Sequence, residues 1–149
     1  MNKYFKYLAL VLLVSLSKYV SAQVEEIGSK NSLFYYSGTL GKAGEVEFNL
    51  QMDEPEVSGS YIVEKTGDWF LFNGRLSPDN DAMGVLVYSE SNEYVASIEA
   101  YFISDENSFA KEINGVWKSA DGRVRRPINL KKVAELAATA NTDRPHAGE

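Results

Sequence analysis

The chain has 149 residues, no cysteine and a formal net charge of −6. This length suits one domain, and without cysteine the fold has no disulfide to hold it. The acidic balance argues against nucleic-acid binding, because contacts with phosphates need a basic face. The single histidine, His146, lies in a polar tail that is expected to be disordered, which argues against serine–histidine hydrolases and histidine-based zinc sites. The sequence therefore predicts a non-enzymatic protein without a metal ion or cofactor.

The start of the chain has the pattern of a cleaved export signal. Lys3 and Lys6 precede the nearly unbroken apolar run Leu8–Leu16, and Val20-Ser21-Ala22 supplies the small residues of a cleavage site. Nine residues are too few to cross a hydrocarbon core, which needs roughly 20. We therefore expect a signal peptide over residues 1–22, a periplasmic or secreted mature protein, and no stable membrane anchor.

Removal of this signal would leave a mature chain with a formal net charge of −9, and the charge is unevenly placed. Residues 23–110 contain 4 basic and 16 acidic residues, whereas residues 111–149 contain 8 basic and 5 acidic residues. An acidic body attracts cationic molecules. A basic protein is therefore one expected partner.

After a polar linker over residues 23–32, eight segments have the marks of β-strands. The clearest is Gly44–Met52, in which Val46, Phe48 and Leu50 alternate with polar residues, a period typical of a strand with one buried face. Turns rich in Gly, Pro, Asp and Asn separate the segments. The predicted strands are Leu33–Leu40, Gly44–Met52, Val57–Lys65, Trp69–Ser77, Met83–Ser89, Tyr94–Ile103, Phe109–Lys118 and Arg123–Leu130.

Eight short strands without a helix between them predict an all-β fold, a single eight-stranded antiparallel meander barrel over residues 33–132. Closure into a barrel removes the exposed strand edges that invite aggregation. Glycines recur within the strands, where they mark sharp bends or close backbone approach. Trp117, near the closing pair of strands, is expected to plug the barrel.

The chain after the last predicted strand departs from this pattern. Leu130, Val133 and Leu136 recur at spacings of three residues in an alanine-rich stretch, which favours a helix. The final residues are polar and include Pro145. We therefore expect a short helix and a disordered tail over residues 133–149.

Period-two alternation also predicts which side chains face outward. If Tyr61 and Phe70 point into the barrel, then Ile62, Trp69 and Leu71 point to solvent. Such an apolar strip is uncomfortable in water. A homo-oligomer through Ile62, Trp69 and Leu71, the tail, or a partner would cover it, and scattered surface apolar residues are the alternative interpretation.

Aromatic residues supply a candidate ligand site. Aromatic walls with a few polar groups are typical of small-molecule pockets, although the interiors of eight-stranded barrels are often filled by their own side chains. The preferred hypothesis is an exported binding protein for a small apolar ligand or a basic protein, with an inhibitor or immunity-like role among the options. The candidate ligand-binding residues are Trp69, Arg75, Tyr88, Tyr101 and Trp117.

Other functions stay open beside this hypothesis. Two carboxylates among Glu64, Glu90 and Glu99 that met inside a dry barrel would have one raised pKa, which would permit acid–base catalysis. An envelope structural or assembly subunit would instead use the outward apolar strip. A basic cluster around the last hairpin is either solvated or a small anion site, and it consists of Lys118, Arg123, Arg125, Arg126, Lys131 and Lys132.

Four short motifs follow one another along the predicted strands, namely Gly59-x-Tyr61, Phe72-x-Gly74-x-Leu76, Gly115-x-Trp117 and Pro127-Ile128-x-Leu130. Together they resemble a group of small exported bacterial domains of unassigned function, whose strands repeat Gly-x-aromatic and close with Gly-x-Trp and Pro-aromatic-x-Leu. The likeness covers about Gly38–Val133, with Ile128 in place of the usual aromatic residue. The architecture is also similar to avidin and lipocalin-type meander barrels, although the ligand motifs of neither can be placed here. The resemblance implies a fold and a compartment, and no activity.

Overall fold

The protein forms a closed eight-stranded antiparallel barrel, as predicted, in a computed structural model that describes residues 32–137. Each strand pairs with the next one in the chain, and the first pairs with the last. The predicted signal peptide lies outside the described residues, as do nearly all of the linker and the tail beyond residue 137. No helix within residues 32–137 is long and apolar enough to span a membrane. The strands are β1 (Ser32–Leu40), β2 (Glu45–Asp53), β3 (Glu56–Val63), β4 (Trp69–Leu76), β5 (Ala82–Ser89), β6 (Tyr94–Asp105), β7 (Ser108–Ser119) and β8 (Arg125–Ala137).

The last strand is longer than predicted, and the expected helix is wrong as far as Ala137. The added residues pair with β1, where Lys132 lies opposite Tyr36. This pairing supplies the hydrogen-bond partners that an open edge of β1 would lack. The register then skips Val133 in a bulge, and Val133 and Leu136 are exposed on the outside rather than packed against a core. The barrel therefore includes residues 133–137, beyond the predicted boundary at residue 132.

The barrel interior is filled by side chains from alternate positions of all eight strands. Val46, Phe48, Leu50 and Met52 of β2 are at most 1% exposed, as their alternation predicts. The ring of Phe48 stacks on that of Tyr61 with centroids 4.6 Å apart. Packing of this kind makes the middle of the barrel a hydrophobic core.

Most of the strand glycines bring neighbouring strands too close for a side chain. A Cβ at Gly59 would lie 2.6 Å from the ring of Phe72 and would overlap a backbone carbonyl of β2. Gly84 differs, because a Cβ there would meet nothing within 4 Å. The predicted close approach therefore applies to Gly38, Gly59, Gly74 and Gly115.

The barrel has two ends that differ in content. The turns β1–β2, β3–β4, β5–β6 and β7–β8 lie at what we call the upper end. The other three turns lie at the lower end, together with the start of β1 and the end of β8. Candidate sites can therefore be assigned to one end or to the outer wall.

Candidate functional site at the upper end of the barrel

A cavity of about 300 Å³ opens at the upper end, above the buried core. Tyr61 of β3, Phe70 of β4 and Trp117 of β7 contribute aromatic rings to its lining. Arg126, near the start of β8, also lines the cavity, and it is the register partner of Trp117 on the neighbouring strand. We call this space the upper cavity. It combines an aromatic wall with a cation, a composition typical of small-molecule sites.

The aromatic wall is held rigid by stacking and by one hydrogen bond. The Tyr61 ring lies between those of Phe48 and Phe70, with centroids 4.6 and 5.0 Å away. The indole Nε1 of Trp117 donates to the Tyr61 hydroxyl at 3.1 Å. Burial raises the pKa of Tyr61 to about 12, against the opposing effects of this hydrogen bond and of the Arg126 charge. The Tyr61 hydroxyl is therefore neutral at physiological pH and serves to orient the indole.

The cation of the upper cavity lies over an aromatic ring. The guanidinium carbon of Arg126 is 5.0 Å from the centroid of the Trp117 ring, within the range of a cation–π contact. Within residues 32–137, no carboxylate forms an ion pair with Arg126. Lys42 and Lys65 also line the cavity, against one acid, Asp68. The upper cavity is thus cationic in a protein that is acidic overall.

The lower end holds a second cation that the protein itself neutralises. Lys132 lies further along β8, on the same inner face as Arg126, and its Nζ is 5.0 Å from the centroid of the Phe34 ring. This Nζ donates to the backbone carbonyl of Phe109, and to the carboxylate of Glu135 at 2.8 Å. Lys132 therefore stabilises the fold, and its charge is not offered to a ligand.

The five predicted ligand-binding residues do not form one cup. Trp117 lines the upper cavity, whereas Trp69 and Tyr101 are 40% and 55% exposed on the outer wall. Arg75 lies beside the turns of the lower end, and Tyr88 packs against Tyr94 on the outer wall. The physical reason is alternation, since each outward residue has inward neighbours on either side.

Sequence reasoning missed the other residues of the upper cavity, although a signal for them existed. Phe70 follows the outward Trp69, so the strand pattern that places Trp69 outside also delivers Phe70 to the cavity. Arg126 was one member of a basic cluster, and it lies two residues before the buried Ile128 on the same face of β8. Trp117 is half-buried at the rim. It packs against the core from the open upper end and does not plug the barrel, contrary to the prediction.

The carboxylates proposed for catalysis do not meet inside the barrel. Glu64, Glu90 and Glu99 are all exposed, the first two in turns at the upper end and the third on the outer face of β6. Among the residues that the structure describes, no group of three or more acidic or histidine side chains could hold a metal ion. The geometry therefore gives no dry acidic pair on which acid–base chemistry would rest.

Comparison with protein-family models, with curated proteins and with solved structures finds no match for this chain. The likeness to small exported bacterial domains stays a prediction from the strand motifs. The upper cavity is therefore the observation from which a function can be argued.

Proposed function

We propose that this protein is an exported, non-enzymatic binding protein whose upper cavity takes a small ligand with a flat apolar part and a negatively charged group. One observation carries the proposal. A guanidinium without a carboxylate partner in residues 32–137 lies 5.0 Å from an indole ring at the mouth of an aromatic cavity.

The apolar part of the ligand would lie against the rings of Tyr61, Phe70 and Trp117. Stacking and the indole–hydroxyl hydrogen bond hold these rings in place before a ligand arrives. A preorganised wall loses little side-chain entropy on binding. The cavity volume of about 300 Å³ is at the small end of ligand pockets, which favours a small ligand over a lipid-sized one.

The charged group of the ligand would pair with Arg126. A guanidinium presents several N–H donors in a plane and binds carboxylates and other oxyanions through two of them at once. Lys42 and Lys65 add positive charge at the same rim. The expectation of a small apolar ligand is thus refined to an amphipathic anion.

Export is supported by the sequence pattern at the start of the chain. A charged beginning, a nine-residue apolar run and small residues before position 23 are features of cleaved signals. A binding protein outside the cytoplasm would meet small molecules from the surroundings. The compartment thus fits a capture role.

The two tryptophans of the chain allow a direct test, because Trp117 lines the upper cavity and Trp69 lies on the outer wall. In a Trp69→Phe variant, Trp117 is the sole tryptophan reporter. Titration with anilinonaphthalene sulfonate, a flat aromatic anion, should quench its fluorescence. The neutral analogue phenylnaphthylamine should bind more weakly, because it has no partner for the guanidinium.

Matched variants then test the cation itself. Arg126→Met should weaken binding of the sulfonate about tenfold, the equivalent of one lost charged hydrogen bond, and should leave the neutral analogue unaffected. Arg125→Met is the control, since Arg125 is exposed on the opposite face of the strand. Equal loss in both variants, or quenching that Arg126→Met does not change, would contradict the proposal.

A further inference from the structure

Large apolar side chains lie next to one another on the outer face of four adjacent strands. The register places Ile62 opposite Trp69 and Leu71 opposite Tyr88, and the Tyr88 and Tyr94 rings pack edge-on with centroids 6.3 Å apart. The exposed fraction is 37–46% for the side chains of Ile62, Trp69, Leu71, Leu86 and Tyr94. A contiguous exposed apolar surface of this kind usually marks a site of interaction with another molecule. We define the outer apolar patch as Ile62, Trp69, Leu71, Leu86, Tyr88 and Tyr94.

Carboxylates border this patch along β2 and the β3–β4 turn. Glu47 pairs with Ile62 of the patch, and the N–H of Glu64 donates to the backbone carbonyl of Glu45 at 3.0 Å. Desolvation and the nearby side chains of Glu45 and Glu47 raise the pKa of Glu64. The three carboxylates are thus close enough to repel one another, and they give this side of the patch a negative field.

A depression of about 340 Å³ marks the upper border of the patch, between the β3–β4 and β5–β6 turns. Trp69 forms an apolar wall, and Asp68 and Glu90 line the same space. The Ser89 and Ser91 hydroxyls, 2.9 Å apart, add polar groups to it. Lysine and arginine bury an apolar stem while the charged end stays near carboxylates or an aromatic face. The depression suits the side chain of one such residue.

We propose that the outer apolar patch and its acidic border bind a cationic amphipathic segment of another protein. Apolar side chains of that segment would cover Trp69 and Leu71, and one lysine or arginine side chain would enter the depression between Asp68 and Glu90. This site lies on the outer wall and shares Asp68 and Phe70 of its upper border with the upper cavity. The proposal does not depend on the small ligand.

Charge complementarity selects this occupant over the others. A second copy of the chain would bring the same acidic border and the same net negative charge to the interface, and like charges across an interface are costly. An anionic membrane surface would be repelled for the same reason. Lys65 and Arg75 line cavities at the upper and lower end rather than the patch, and Lys118 lies on β7, one strand beyond it, opposite Ser97. A basic partner is the one class that both the apolar and the acidic parts attract.

The test uses a synthetic helical peptide with leucine on one face and lysine on the other. A Trp117→Phe variant leaves Trp69 of the patch as the sole tryptophan. The lysine peptide should shift the emission of Trp69, and its affinity should fall as salt is added. An analogue with glutamate in place of lysine should not bind. Equal binding of both peptides, or affinity insensitive to salt, would overturn the proposal.

Paired variants locate the binding surface. Leu71→Thr should weaken the lysine peptide about tenfold, as expected for a central apolar contact. Val116→Thr is the control, because Val116 is similarly exposed on β7 outside the patch. Glu90→Gln should weaken binding several-fold at low salt, whereas Glu106→Gln at the lower end should not. Equal losses in the control variants would contradict the proposed surface.

Size-exclusion chromatography over a range of protein concentrations tests whether a second copy of the chain covers the patch. The proposal expects a monomer whose elution does not change with concentration or with Leu71→Thr. A dimer that Leu71→Thr dissolves would show that a second copy covers the patch, and would overturn the proposal.

Discussion

The upper and lower ends of the barrel each hold a cation of β8 over an aromatic ring, and they differ in what else the cation contacts. Lys132 at the lower end binds a backbone carbonyl and Glu135. Arg126 at the upper end lies beside a cavity and has no carboxylate partner within the described part of the chain. The same cation–aromatic contact thus serves stability at one end and leaves a charge accessible at the other.

A single bulge accounts for much of this difference. In a regular strand, residues three apart point to opposite faces, so Lys132 and Glu135 would not meet. The register skip at Val133 brings both to the inner side, where they form an ion pair. Arg126 lies in a regular part of the β7–β8 pairing, opposite Trp117. Its nearest partner is therefore the indole ring across the strand pair.

The largest expected effect tests whether the lower end is the more tightly packed one. Phe34 is fully buried between Tyr36 and Phe109, so Phe34→Ala should lower the free energy of unfolding by about 3–5 kcal/mol. Phe70→Ala at the half-buried upper rim should cost roughly half as much. Urea unfolding followed by circular dichroism measures both. Equal losses would show that the lower end of the barrel is packed no more tightly than the upper end.

A smaller effect separates the two cations. Lys132→Met should lower the free energy of unfolding by about 1–3 kcal/mol, because a part-buried carbonyl loses its donor. Arg126→Met should lower it by only about 0.5–1 kcal/mol, the size of a cation–π contact at an exposed site. The same urea titration compares them. A larger loss for Arg126→Met would assign Arg126 to the fold and weaken its role as a ligand partner.

The smallest effect concerns the two buried tyrosines. Tyr36 donates its hydroxyl to the carbonyl of Ala110 at 2.8 Å, and burial followed by the Glu135 charge raises its pKa. Arg126 lowers the pKa of Tyr61. Glu135→Gln should therefore lower the pKa of Tyr36, whereas Arg126→Met should raise that of Tyr61.

Folding raises the pKa of both tyrosines, so both lose their stabilising contribution at high pH. The pKa of Tyr61 is raised from 10.0 to about 12 by folding, so its contribution is complete below pH 10 and is lost as the pH rises toward 12. Difference absorbance titration of the parent protein against Tyr61→Phe measures the ionisation. A Tyr61 that ionises near pH 10 would contradict its burial beside Trp117.

Local pattern in the sequence determined the strands and their faces. Alternation in β2 predicted a buried row that the structure contains, and the same rule placed Ile62, Trp69 and Leu71 outside, where they are exposed. The predicted ligand site that joined Trp69 to Trp117 was at odds with this rule, and the structure separates the two residues. A period of two is a property of neighbouring residues, and it holds wherever the strand is placed.

Only the tertiary structure decided where the site lies and that the last strand continues past residue 132. Tyr61 and Trp117 are 56 residues apart in the chain, and their hydrogen bond exists because closure brings β3 and β7 to one mouth. Residues 131–137 have helical spacing, yet they form a strand because the edge of β1 needs a partner. Pairing between distant strands supplies free energy that local spacing does not contain, and this pairing placed Arg126 over an indole and Lys132 beside a carboxylate.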